Sequence, residues 1–211
     1  MQSHSKTKQL FLLSGALLTW FAVVLQGYLI MANRVTSVPE TVARFFSFYT
    51  VLTNILVALY FTYMLLAPAA RPGRFFSGSA TAIAVYISVV GIVYNLVLRN
   101  LWNPAGYQQL ADELLHVVVP LFFIIYWFAF ARTRALQWKY MFSWLMYPLF
   151  YLLVILLRGS WSGFYPYPFI DVTRIGYSKA LVNSAAMLGL FLAVSALFIF
   201  VGKSASNKTS A

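Results

Sequence analysis

A histidine at the start of a long apolar run is the residue of this sequence whose chemistry is most out of place. His116 lies in the sequence DELLHVVVP, from Asp112 to Pro120, whereas the second histidine, His4, lies in a polar tail. Imidazole can gain or lose a proton near neutral pH, and no Asp, Glu, Lys or Arg lies in the middle of any apolar run. Because an ionisable group at such a position is costly, His116 marks a candidate functional site.

A threonine near the start of another apolar run could act chemically together with this histidine. A threonine hydroxyl is a poor nucleophile until a base takes its proton, and a neutral imidazole can take that proton and return it to a leaving group. Thr50 and His116 could therefore form a nucleophile–base pair. Glu113, one helical turn before the histidine, could set its tautomer, and Asn54 or Asn95 could donate a hydrogen bond to a developing oxyanion.

The composition is that of an integral membrane protein. Of the 211 residues, 62% are hydrophobic and 9% are charged, whereas a soluble domain carries about 25% charged residues. The net charge of +11 comes from Lys and Arg scattered through short connections, so we expect anionic lipid headgroups and not nucleic acid as partners. The sequence identifies no partner protein. The absence of cysteine and the scarcity of carboxylates argue against a metal site, and no cofactor is expected.

Six apolar runs are long enough to cross a bilayer, which takes about 20 residues. The predicted fold is all-α, with residues 1–211 forming one integral membrane domain, a polytopic bundle of six transmembrane helices. The first run follows Lys6 and Lys8 as in a signal sequence, but it is too long and lacks a cleavage motif. The helices are predicted at residues 10–31, 46–68, 79–98, 113–131, 140–157 and 180–201.

The distribution of basic residues predicts the orientation of the bundle. The two tails and the second and fourth connections hold nine basic residues and no acidic ones. The opposite side holds six basic residues together with all four acids, which are Glu40, Asp112, Glu113 and Asp171. By the positive-inside rule, both termini are predicted to be cytoplasmic.

With this orientation, polar residues of several helices lie at one depth near the outer face. Thr50 and His116 are each roughly 6–9 Å below the outer boundary, at a helical rise of 1.5 Å per residue. Polar side chains in hydrocarbon face the bundle interior or a wet cavity, so we expect one polar pocket in the outer half of the bundle. Its predicted lining is Gln26, Thr50, Asn54, Asn95, His116 and Asn183.

A structural role is the alternative for several of these polar residues. Ser, Thr, Asn and Gln hold membrane helices together through interhelical hydrogen bonds, and we favour that role for Gln26, Asn95 and Asn183. Thr53 is expected to bond back to its own helix. Pro120 is expected to kink the fourth helix and to widen the space beneath the histidine.

Several segments resemble a known family. The sequence FSFYTVLTN, residues 46–54, looks like the second-helix motif of the Pr6Pr membrane proteins, which resemble the six-helix FAR-17a/androgen-induced-protein group. His116, followed four residues later by Pro120, matches that group, and YPYPFID at residues 165–171 looks like its aromatic–proline loop. The resemblance covers most of the chain.

This resemblance implies a membrane threonine hydrolase that cleaves fatty acid esters of hydroxy fatty acids or similar lipid esters. Matched residue by residue, the implied catalytic pair is Thr50 and His116. Thr53 and Asn54 follow as in the Pr6Pr version and not as in the eukaryotic one, which leaves the substrate open, and Thr53 is the alternative nucleophile. We expect an integral, multi-pass protein of a bacterial cytoplasmic (inner) membrane that takes its lipid substrate from the bilayer.

Two functions without catalysis are the alternatives. The protein could bind or carry a lipid or another small hydrophobic molecule, with His116 as a hydrogen-bond partner. It could also be a proton-coupled transporter with His116 as the relay, although no second ionisable group lies mid-membrane on the cytoplasmic side. The aromatic residues of the segment 158–179 fit either an interfacial anchor or a lid that admits an acyl chain.

Overall fold

Six long apolar helices confirm the predicted all-α, six-span fold. The computed structural model describes residues 6–66, 78–131 and 136–208, with no side chains described for 205–208. The predicted second connection and part of the fourth lie outside the described residues. The spans, numbered one to six below, are Lys6–Ala32, Tyr49–Leu66, Ser79–Leu101, Tyr107–Phe130, Tyr140–Ser162 and Val172–Ser204.

Several spans combine more than one kind of helix. Span one is α1 (Lys6–Ala32), span two is α3 (Tyr49–Leu66), and a short α2 (Val38–Phe45) lies between them. Span three consists of α4 (Ser79–Val93), a π turn (Tyr94–Leu98) and a 3₁₀ turn (Arg99–Leu101). Span four consists of α5 (Tyr107–Glu113), a π turn (Leu114–Val118) and α6 (Val119–Phe130).

The last two spans are joined by an ordered loop. Span five consists of α7 (Tyr140–Trp144) and α8 (Met146–Ser162), and span six lies within α9 (Val172–Lys208). We call residues 163–171 the cover loop; it contains a 3₁₀ turn at Pro168–Ile170. The left-handed φ of +67° at Gly163 ends α8 and begins this loop.

Spans four and six begin earlier than hydropathy predicts, whereas span two begins at Tyr49 and not at residue 46. Span four begins at Tyr107 instead of residue 113, because its polar residue Gln108 finds a partner in Gln26. Span six begins at Val172 instead of residue 180, with an interruption at Gly176, where φ is +77°. Polar residues that are satisfied by neighbouring helices can continue a helix, and a count of apolar residues misses them.

Side-chain contacts place both termini at the same end of the bundle. Phe11 near the start of α1 packs on Phe130 at the end of α6, with ring centroids 5.5 Å apart. Lys203 near the end of α9 lies 5.5 Å from the ring of Trp138, which precedes α7. The opposite end carries α2 and the cover loop, and we call it the loop end. That the loop end faces away from the cytoplasm remains a prediction from the distribution of basic residues.

Two π turns lie side by side at the loop end, in spans three and four. Proline has no N–H, so Pro120 cannot bond the carbonyl of His116 as an α-helix would require. Span four widens there into the π turn Leu114–Val118. The freed carbonyl faces α4, where a Cβ added to Gly91 would lie 3.3 Å from the His116 oxygen. Such bulges recur at functional sites because they turn side chains out of the regular helical register.

Candidate functional site

The threonine and the histidine predicted as a pair are in contact. Thr50 Oγ1 lies 3.3 Å from His116 Nε2. Thr50 occupies the first turn of α3 and is 7% exposed, and the His116 side chain is 14% exposed. The predicted nucleophile and base are therefore near hydrogen-bond distance in a largely desolvated position, and contacts of this kind commonly tighten when a substrate binds.

The second ring nitrogen of His116 is held by Asp112. Nδ1 lies 2.9 Å from the main-chain oxygen of Asp112 and 3.2 Å from its carboxylate Oδ1. A carbonyl oxygen only accepts, so Nδ1 carries the proton and Nε2 is left as an acceptor facing Thr50. That is the tautomer a general base requires. Thr50, His116 and Asp112 thus have the arrangement of a nucleophile–base–acid triad.

The predicted orienting residue, Glu113, does not contact His116. Its carboxylate is paired with Arg99 at the surface of span four, where both side chains are partly exposed. Asp112, one residue earlier, is 5% exposed and faces the imidazole. The i, i+4 spacing of Asp112 and His116 was the available sequence signal for this contact.

Tyr94 supports both the imidazole and the carboxylate. Its ring stacks on that of His116, with centroids 4.1 Å apart and planes 15° apart. Its hydroxyl donates a hydrogen bond to Asp112 Oδ2. The two adjacent π turns supply these residues, Tyr94 from span three and His116 from span four. The sequence analysis did not single out Tyr94, which lies in an apolar stretch with no distinctive spacing.

Tyr167 of the cover loop completes the surroundings of Thr50. The Thr50 N–H donates to the Tyr167 hydroxyl oxygen at 3.2 Å, and the two hydroxyl oxygens lie 3.3 Å apart. This N–H is one of the free donors at the start of α3. Burial raises the pKa of Tyr167, so its hydroxyl keeps a proton that it can donate. The sequence analysis placed Tyr167 in an aromatic loop but not in the site.

Asn54 is bonded in a way that excludes it as an oxyanion donor in this arrangement. It is fully buried, and its Nδ2 donates to the carbonyl of Thr50 at 2.8 Å and to that of Leu115 at 3.2 Å. Both protons of the amide are therefore engaged. Asn54 instead joins α3 to the π turn that carries His116.

The other predicted pocket residues make structural hydrogen bonds. Asn95 donates to the carbonyl of Gly91 and accepts from Arg99. Gln26 accepts from Gln108, linking α1 to α5, and Asn183 donates to the carbonyl of Phe169 in the cover loop. Gln26 also lines a cavity of about 660 Å³ at the loop end, and Asn95 lines another of about 630 Å³.

Thr53, the alternative nucleophile, is directed elsewhere. Its side chain is fully buried, and its hydroxyl lies 3.4 Å from that of Tyr147 on α8. Among the described residues, the histidine contacts Thr50 and not Thr53.

Three cavities reach the Thr50–His116 pair from different directions. The vestibule, about 660 Å³, has both residues in its wall together with polar groups such as Gln108 and Arg174. The inner pocket, about 80 Å³, has Thr50 in its wall and is otherwise almost wholly apolar, between α3, α4, α8 and α9. The groove, about 630 Å³, has His116 in its wall and runs between α4, α6 and α9.

An ionic cluster holds the cover loop over this site. Glu40 of α2 accepts hydrogen bonds from Arg44 at 2.8 Å and from Arg158 at 2.8 and 2.9 Å. Both guanidinium groups also contact the ring of Phe164, at 4.6 and 5.3 Å from its centroid. We call Glu40, Arg44, Arg158 and Phe164 the latch. The two arginines hold the pKa of Glu40 below its usual range.

The cover loop is also seated directly on α8. A Cβ added to Gly159 would lie 2.1 Å from the ring of Tyr165, so the ring occupies the place of a side chain. Tyr167 stacks on Phe169, with centroids 5.3 Å apart and planes 6° apart. The loop is therefore an ordered wall of the site and not only an anchor at its rim.

No metal site is found among the residues that the structure describes, where no three His, Cys, Asp or Glu side chains are grouped. Comparison of the chain with models of protein families, with curated proteins and with solved structures gives no match.

Proposed function

We propose that this protein is an intramembrane hydrolase of lipid esters. The observation that carries the proposal is the alignment of Thr50 Oγ1, the His116 ring and the Asp112 carboxylate, with the tautomer that a general base needs. Two almost wholly apolar cavities and one partly polar vestibule are each lined by Thr50, His116 or both, which suits a substrate with alkyl chains and a reaction with water. The resemblance to six-helix threonine hydrolases points to fatty acid esters of hydroxy fatty acids or similar esters.

In the first half of the reaction, Thr50 Oγ1 attacks the ester carbonyl carbon while His116 Nε2 takes the hydroxyl proton. The tetrahedral intermediate carries its negative charge on the former carbonyl oxygen. The Tyr167 hydroxyl can donate to that oxygen, and the positive end of the α3 dipole lies beside it. The bond from carbon to the alcohol oxygen then breaks, and the alcohol leaves with the proton from His116.

In the second half, a water molecule from the vestibule attacks the acyl-threonine ester. His116 takes a proton from this water and returns it to Thr50 Oγ1 as the acid leaves. The Asp112 carboxylate stabilises the imidazolium that forms in each half. No step requires a metal or a cofactor.

The proposal is tested by covalent labelling with a fluorophosphonate probe, which reacts with an activated hydroxyl. We expect the purified protein to be labelled and Thr50→Ala to lose the label, because the reacting oxygen is gone. Thr53→Ala is the matched control, since it makes the same change in a buried threonine on the same helix. Labelling that persists undiminished in Thr50→Ala contradicts the assignment.

Binding of a lipid without turnover is the second candidate. It is favoured by the nearly complete apolar lining of the inner pocket and the groove, which could hold alkyl chains whether or not they react. An intact ester that co-purifies with the protein and is not hydrolysed on long incubation would support this function in place of hydrolysis.

A further inference from the structure

The two apolar cavities are lined by different members of the candidate catalytic pair. The inner pocket has Thr50 in its wall and not His116, whereas the groove has His116 in its wall and not Thr50. The vestibule alone has both. A substrate carbonyl placed between the two side chains would therefore have one apolar cavity beside the nucleophile and another beside the base.

The two side chains act on different halves of an ester. The nucleophile forms its bond to the acyl carbon, so the acyl chain extends from the side of Thr50. The acid–base residue delivers its proton to the alcohol oxygen, so the alcohol portion extends from the side of His116. We propose that the inner pocket receives the acyl chain and the groove receives the alkyl chain of the alcohol. This assignment rests on the proposed ester hydrolysis.

The sizes of the two cavities differ and predict different chain lengths. The inner pocket, about 80 Å³, has about one eighth of the volume of the groove, about 630 Å³. It therefore fits a shorter chain than the groove does. Leu188 and Phe191 of α9 form part of its wall.

The groove is long enough for the chain of a bilayer lipid. It runs from His116 to Phe128 along span four, 12 residues apart in the sequence, or roughly 18 Å at helical rise. One leaflet of hydrocarbon is about 15 Å thick. Leu121 and Leu197 on its rim are 55% and 58% exposed on the outer surface of the bundle. An alkyl chain can therefore move sideways from the leaflet into the groove, with its ester group at His116.

The substrate class that follows is a short-chain ester of a long-chain alcohol or hydroxylated lipid. Two series of synthetic esters test it with the purified protein in detergent micelles. One series varies the acyl chain on a fixed long-chain alcohol, and the other varies the alcohol on a fixed short acyl group. For the wild type, we expect kcat/KM to fall as the acyl chain is lengthened and to rise as the alcohol chain is lengthened.

Substitutions in each cavity should change one preference and not the other. Leu188→Ala enlarges the inner pocket and should raise kcat/KM for longer acyl chains, by about fourfold for each methylene newly buried. Ile124→Trp narrows the groove and should lower kcat/KM for long-chain alcohols by about tenfold relative to short ones. Leu181→Ala and Ile125→Trp are the matched controls, because both residues are exposed and line none of the three cavities.

The outcomes separate this inference from the proposed function. An active enzyme whose acyl preference changes in Ile124→Trp, or whose alcohol preference changes in Leu188→Ala, has the two chains in the opposite cavities. Chain preferences that are the same in all four variants show that neither cavity holds a chain, while hydrolysis itself stands. A wild type that hydrolyses no ester and is not labelled by the fluorophosphonate refutes the proposed function and this assignment together.

Discussion

The two ring nitrogens of His116 have partners with different tasks. Nε2 faces the Thr50 hydroxyl, which would lose its proton in the proposed reaction, and Nδ1 is fixed by the backbone and carboxylate of Asp112. Tyr94 adds a stacked ring on one side of the imidazole and a hydrogen bond to the same carboxylate. The imidazole therefore has little freedom to turn, which lowers the cost of aligning it for proton transfer.

Replacing Asp112 by asparagine should remove most of the activity while the protein stays folded. The amide can donate to Nδ1, which favours the wrong tautomer and leaves the imidazolium without its counter-charge. We expect kcat to fall by about 10²–10⁴ with KM little changed. Tyr94→Phe keeps the stacked ring and loses only the hydroxyl, so its kcat should fall far less. Equal losses in the two variants would show that Asp112 acts through packing and not through its charge.

At the residue scale, the sequence predicted the contact between Thr50 and His116 but not the residues that support it. Thr50 lies in the first turn of α3, whereas His116 lies in the π turn of span four, well after its start at Tyr107. The two were matched by depth from a predicted start of the fourth helix at residue 113. The choice between Asp112 and Glu113 depended on the π turn at Leu114–Val118. One inserted residue rotates the preceding helix face by about 100°, and apolar spacing does not reveal such an insertion.

At the scale of elements, the site depends on a loop that is fastened at two points. The latch joins α2 to the end of α8 through Glu40 and the two arginines, and the ring of Phe164 lies against both guanidinium groups. Tyr167, three residues further on, contacts Thr50. The loop was predicted as an aromatic segment, but its contact with Thr50 spans 117 residues of sequence. A contact between residues so far apart in the sequence leaves no pattern in the sequence around either residue.

Replacing Glu40 by glutamine should loosen the cover loop. The change keeps the shape of the side chain but removes the charge that both arginines share. We expect amide hydrogen exchange in residues 163–171 to be about two- to fivefold faster at neutral pH, as for a partly exposed ion pair. Glu113→Gln is the control, because it breaks an ion pair of similar exposure away from the loop. Unchanged exchange in Glu40→Gln would show that packing alone holds the loop.

The same latch should respond to acid. The pKa of Glu40 is lowered from its ordinary value of 4.5 by its hydrogen bonds to Arg44 and Arg158. Its contribution to stability is therefore full above that ordinary value and is lost as the pH falls through the lowered pKa. Exchange in the loop, corrected for the intrinsic pH dependence of the amides, should rise in the wild type below about pH 4.5 and approach that of Glu40→Gln.

At the scale of the whole molecule, span three is the centre of the bundle. Two thirds of its apolar window is buried, 67%, against 17% in span five. The number of spans followed from hydropathy alone, since only helices of this length satisfy their backbone in lipid. Which spans pack against one another could not be predicted from hydropathy. In a membrane protein the lipid-facing and buried residues are equally apolar, so the sequence does not distinguish them.

A close helix contact between spans one and two can be tested by adding one methyl group. A Cβ on Gly15 would lie 2.7 Å from the ring of Phe61 and 2.9 Å from that of Phe122. We expect Gly15→Ala to lower the thermal unfolding temperature in detergent, at a cost of about 1–3 kcal/mol from overpacking. Gly189→Ala meets nothing within 4 Å and should raise that temperature slightly, as helix propensity favours alanine. The same response in both variants would contradict the close contact.

The hydrogen bonds of Asn54 bear on which substitutions this site can tolerate. Its amide spans from the carbonyl of Thr50 to the carbonyl of Leu115, the residue next to His116. The two hydrogen bonds of Asn54 thus fix the distance between the backbone at Thr50 and the backbone beside His116. Substitutions elsewhere in the spans can change helix tilt, lipid contacts or cavity shape. As long as Asn54 keeps both hydrogen bonds, they should leave the distance between Thr50 and His116 unchanged.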